Sequence, residues 1–90
     1  MTISKPPTRE WTVAGTARGV AVEVVSVAPE VATLVIVHGI RPGAHLVVEG
    51  DAPFGGPCIV RLGRSRVAID RRVAREIRVV SASPVGATGR

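Results

Sequence analysis

Between Gly39 and Gly63 the chain reads GIRPGAHLVVEGDAPFGGPCIVRLG, and these 25 residues constrain its fold more than any others. A Gly-x-x-Pro-Gly turn opens the stretch, and an apolar run, Leu46-Val47-Val48-Glu49, follows. Then comes a connection made almost wholly of turn formers, Gly50-Asp51-Ala52-Pro53-Phe54-Gly55-Gly56-Pro57. A second apolar run, Cys58 to Leu62, ends it. Gly reaches positive φ without a Cβ clash and Pro holds φ near −65°, so this density of both specifies the shape of a loop. Two apolar runs joined in this way predict two antiparallel strands with a long connection.

The flanking sequence extends the same pattern. Val20 to Val27 is a β-branched run that predicts a strand with Val22 and Val24 inward and Glu23 outward. Leu46 and Val48 are predicted inward, with Val47 and Glu49 outward. Cys58, Val60 and Leu62 alternate with Ile59 and Arg61. Gly63-Arg64-Ser65 reads as a short hairpin turn. Val67 and Ile69 then alternate with Arg66, Ala68 and Asp70, so that arginines face out and aliphatics in. Residues 71–75 suggest one helical turn, and Glu76 to Ser81 a last strand with Ile77 and Val79 inward. Residues 28–38 point both ways. Pro29-Glu30 opens a helix well and Gly39 stops one, but Val31, Thr33, Val35, Ile36 and Val37 carry strand propensity. Five short strands with an insertion after the first add up to a small, strongly bent barrel.

Ninety residues make one domain. The expected limits are an extended arm over residues 1–15, a barrel over 16–81 and a tail over 82–90. Trp11 stands alone in the polar arm, and its large apolar surface is expected to fold back onto the core. A single cysteine, Cys58, makes no intrachain disulfide, and the first residues lack the apolar stretch of a secretory signal, so a cytoplasmic protein is expected. No apolar run approaches the roughly 18 residues a membrane span needs. The net charge of +5 is uneven. Residues 1–30 sum to zero and 31–60 to −1, while 61–90 set eight arginines against Asp70 and Glu76 and sum to +6. The last third therefore offers a basic field to an acidic protein, an anionic membrane surface or nucleic acid.

The motifs Leu34-x-x-x-His38-Gly39-Ile40-x-Pro42-Gly43, Ala52-Pro53-x-Gly55-Gly56-Pro57, Val67-Ala68-Ile69 and Ala74-x-x-Ile77-x-Val79 come in an order and spacing similar to the FeoA domain. Gly19 followed by Val24 and Val27 fits the first strand of that family, and the resemblance covers about residues 19–80. His38 stands where the family usually has Leu, and the Trp-containing arm replaces its Leu-rich opening. The resemblance implies a mainly β fold, a five-stranded SH3-like barrel with a short helix between the first two strands, and so favours a helix at 29–38. It also implies a non-enzymatic accessory protein of ferrous iron uptake that binds and modulates the cytosolic region of a FeoB-type permease. The alternative is a small metal-sensing or nucleic-acid-binding SH3-like barrel with a regulatory role, since the same barrel ends some metal-dependent repressors.

The residues assign candidate sites unequally. Loops of SH3-like folds contact partners, which singles out Pro53, Phe54, Gly55 and Gly56; the alternative for Phe54 is a lid tucked over the end of the barrel. The strand face of Arg61, Arg64 and Arg66 would meet an acidic partner or approach the inner membrane surface peripherally. A homo-oligomer is compatible with either surface. Potential metal ligands are His38, His45, Cys58, Glu49 and Asp51, but no two have a recognised ligand spacing, so no metal site is assigned; direct binding of Fe(II) or another divalent transition metal stays open. Nucleic acid is disfavoured, because single-strand binders use aromatic platforms and this chain has no Tyr, one Phe and one Trp. No nucleophile–base arrangement, phosphate loop or carboxylate pair suggests catalysis.

Overall fold

The computed structural model describes residues 9–51 and 55–82. Its elements are β1 (Trp11–Thr12), a 3-10 turn (Val13–Gly15), β2 (Ala21–Val27), α1 (Pro29–Ile36), β3 (His45–Asp51), β4 (Cys58–Leu62), β5 (Ser65–Ile69), α2 (Arg71–Ala74) and β6 (Ile77–Ser81). The strands form one antiparallel sheet in the order β1-β6-β2-β3-β4-β5. This is the expected SH3-like β fold with one strand more than the five predicted. The extra strand, β1, pairs Trp11 with Val79 and Thr12 with Arg78. Two residues are too few to show a period of two, which is why the sequence did not reveal it.

The inward frames hold on every long strand. Val22, Val24, Leu46, Val48, Cys58, Val60, Ile69, Ile77 and Val79 are buried in one core. Trp11 packs against that core as expected, and its indole N–H donates to Thr16 Oγ1 at 2.8 Å. The Thr16 hydroxyl in turn donates to the Thr12 carbonyl at 2.9 Å. This chain of bonds pins the 3-10 turn, whose Val13 is fully buried. The two ends of the sheet are β1, with two residues, and β5, which carries Arg66 outward; short and charged edges resist pairing with other chains. Two register shifts, between Val24 and Ser26 in β2 and between Val48 and Gly50 in β3, are the bulges that bend so small a sheet.

The segment at 28–38 resolves as a helix in its first part. Pro29 occupies the first turn, where its missing N–H costs nothing, and Glu30 lies at the positive end of the dipole. Gly39, at φ +87°, ends it: its N–H bonds the Ile36 carbonyl, and the Ile40 N–H reaches back to Val35. The β-branched body is tolerated because Val35 and the following Ile40 bury against the sheet. Helix α2 is capped by Asp70, whose Oδ1 accepts from the Arg72 N–H at 2.8 Å. Its Ala74 is fully buried, and α2 packs against the 13–15 turn.

Candidate functional site

The bulge in β3 organises a polar site on the surface. Val48 pairs with Val60 and Gly50 with Ile59, so Glu49 is the extra residue between them. A bulge re-aims the side chain it carries. The Glu49 carboxylate lies on the outer face, 3.0 Å from Arg61 Nε through Oε2 and 2.8 Å from Arg66 Nε through Oε1. Arg61 and Arg66 are themselves cross-strand partners on β4 and β5. Like charges set directly opposite on a sheet destabilise it, and one shared carboxylate turns that repulsion into a bridge over three strands. Arg18 adds a third guanidinium to the same clefts, against Thr16, Gly50 and Ile59 on one side and Val47 on the other. These two adjoining spaces measure about 430 and 470 Å³.

This site does more than fix three side chains. Arg61 and Arg66 meet Glu49 through Nε, so donors on each planar guanidinium remain for a second acceptor. Three arginines against one carboxylate leave a local charge of +2, and of the three Arg61 and Arg66 are held in place before any partner arrives. Glu49→Gln is therefore expected to lower stability by about 1 kcal/mol, the range of two partly exposed ion pairs, and to lower the melting temperature by roughly 4–8 °C. The deficit should shrink in molar salt, where charges are screened over roughly 3 Å. Thermal melts of both proteins in low and high salt check this.

The structure brings some of the predicted site residues together and separates others. Arg61 and Arg66 meet on Glu49, whereas Arg64 sits in the turn between β4 and β5. Gly55, at φ +76°, and Gly56 precede β4 and so lie at the end of that strand opposite Arg64. Pro53 and Phe54 lie outside the described residues. Arg18 and the bridging role of Glu49 were not among the predicted contacts, because Arg18 lies outside the strands and the role of Glu49 depends on a register shift. Of the potential metal ligands, Cys58 is buried in the core, His38 is exposed just beyond α1, and His45 faces Glu23 across β2 and β3 at 3.5 Å. Among the described residues no three His, Cys, Asp or Glu side chains come together. No helix among them is long and apolar enough to cross a membrane.

Comparison with known proteins decides the family. The family model of the FeoA domain matches residues 12–81. The chain belongs to the FeoA domain family. Among solved structures, a FeoA protein from Chlorobium tepidum is 30% identical and superposes with a TM-score of 0.73, covering 80% of this chain and 70% of its own. A FeoA-like protein from Clostridium acetobutylicum superposes with a TM-score of 0.76 at 24% identity, covering 86% of this chain and 92% of its own. A manganese-dependent transcriptional repressor shares the fold at a TM-score of 0.75 and 21% identity, but this chain spans only 44% of it. No curated protein matches the sequence. The FeoA domain match starts at Thr12, so it includes the second residue of β1 and the 3-10 turn that carries Val13.

Proposed function

We propose that this FeoA-domain protein is a cytoplasmic, non-catalytic accessory of ferrous iron transport that docks on the cytosolic region of a FeoB-type permease and modulates it. The observation that carries this reading is the bridge of Arg61 and Arg66 on Glu49, with Arg18 beside it. Preformed donors of net positive charge suit an acidic surface patch on a protein partner. They steer its approach and fix its orientation more than they add raw affinity. The loop of Pro53, Phe54, Gly55 and Gly56 is a second proposed contact, with Phe54 as its apolar anchor. The proposed partner is a protein and not single-stranded nucleic acid, for the cluster offers no aromatic side chain on which bases could stack.

The test is recovery of a permease from membranes of the native host with the tagged chain. Wild type is expected to recover a G-domain-containing iron permease. Arg61→Ala/Arg66→Ala should reduce recovery at least about tenfold at physiological salt, and the wild-type interaction should weaken as salt rises. Phe54→Ala should also reduce recovery while melting within a degree or two of wild type. Failure of wild type to recover any permease would overturn the accessory reading, and recovery unaffected by the arginine pair would remove this face from it.

A further inference from the structure

A second surface, away from the arginine bridge, has the opposite charge and an apolar floor. Helix α1 has eight residues, of which Val35 alone is buried. Leu34 is 58% exposed and Val37, the residue that caps the helix, 75% exposed. They follow Glu30 at helical spacing, which makes one stripe of Glu30, Leu34 and Val37 along the outside of the helix. Large apolar side chains clustered on so small a domain mark a contact surface. Beside this stripe lies a groove of about 550 Å³ between α1 and α2, floored by Val31, Leu34 and Val73.

The rim of that groove is acidic. Glu30 borders it from α1, and Asp70 and Glu76 border it from either end of α2, against Arg72 as the single base in the lining. Three of the seven acidic residues of a chain with net charge +5 thus border one apolar groove. Arg75 does not line this groove; it lines a neighbouring cleft with Arg78 and Pro29, which Glu76 also borders. We propose that the α1–α2 groove binds a basic amphipathic helix of a partner protein, its apolar face on Leu34 and Val73 and its lysines or arginines on Glu30, Asp70 and Glu76. A helix laid in a groove presents apolar anchors at i, i+3 or i+4 and i+7, and its flanking charges select the groove of opposite sign. The permease reading supplies such segments, because cytosolic stretches next to membrane spans are rich in Lys and Arg. The groove's own chemistry stands without that reading and without the arginine bridge.

The net charge of the chain makes the test sharp. At about 0.15 M salt the Debye length is roughly 8 Å, so a peptide is sorted by the charges nearest to it. Attraction to the molecule as a whole would favour an acidic peptide, and only the groove favours a basic one. The probes are a fluorescent helical peptide of about 16 residues, with leucines at i, i+4 and i+7 flanked by lysines, and the same peptide with glutamates for lysines. Measured by anisotropy against the full chain, the basic peptide is expected to bind at least about tenfold tighter. Leu34→Asp, on an exposed position, should weaken the basic peptide at least about tenfold, and Glu30→Lys/Glu76→Lys should reverse the preference. Arg61→Ala/Arg66→Ala should leave the affinity of the basic peptide as it is and weaken only the acidic one. Equal or tighter binding of the acidic peptide to the Arg61→Ala/Arg66→Ala protein, or a basic-peptide affinity indifferent to both groove variants, overturns the proposal. If the wild type prefers the basic peptide yet recovers no permease, only the permease reading falls.

Discussion

Ile40→Ala is expected to remove about 2–5 kcal/mol of stability, the cost of emptying a fully buried isoleucine site that cannot collapse. Ile40 is 1% exposed and its N–H bonds the Val35 carbonyl at 3.3 Å, so side chain and backbone together anchor the end of α1 to the sheet. A domain of 90 residues has a total stability of roughly 5–13 kcal/mol, so this one change takes between about a sixth of it and nearly all of it. The melting temperature should fall by on the order of 15 °C. Ile36→Ala is the contrast. Ile36 is 52% exposed in the last turn of the same helix, and its loss should change stability by no more than about 0.5 kcal/mol. Urea titrations with an unchanged slope would show that both variants start from the same native state. Equal losses for the two would mean that α1 is not seated on the sheet through Ile40.

The contrast between these two isoleucines also shows where the sequence stops being informative. In the strands, burial follows a period of two, so Val22, Val24, Leu46, Val48, Ile77 and Val79 could be assigned to the core from the sequence. The stop of α1 was equally legible, since Gly39 ends the helix where a C-terminal stop was expected. Asp70, expected as an outward residue of the preceding strand, is instead the side-chain cap of α2. The body of α1 was not legible, since its apolar residues continue around the helix and two of the largest, Leu34 and Ile36, face solvent. Propensity and amphipathic pattern both assume that an apolar side chain is there to be buried within its own domain. A residue kept for a partner breaks that assumption, and the groove beside Leu34 is where it breaks here. The arginine site was half legible for a different reason. Strand alternation placed Arg61 and Arg66 outward, but their meeting on Glu49 depends on a one-residue register shift that no periodicity encodes. Arg18, outside the strands, gave no pattern at all.

That register shift rests on Gly50, and Gly50→Ala is expected to cost about 1–3 kcal/mol. Gly50 has φ +145°, a conformation that only glycine adopts without strain. Space is not the obstacle: a Cβ there would meet Arg18 Cδ at 3.9 Å, an ordinary contact. The cost is therefore in the backbone, and the chain relieves it by relaxing the bulge. Relaxation moves Glu49 off Arg61 and Arg66, so the two arginines face each other without their shared carboxylate. The variant should thus melt on the order of 10 °C lower and recover less permease than its residual stability alone would allow. Gly15→Ala is the control, because Gly15 is absent from the positive-φ glycines and its new Cβ would lie 3.8 Å from Thr12 Oγ1. There the smaller entropy of the unfolded chain should leave stability unchanged or raise it by up to about 1 kcal/mol. A Gly50→Ala protein as stable as wild type would mean that β3 accommodates Glu49 without a strained residue, and the bridge would then owe its geometry to the arginines.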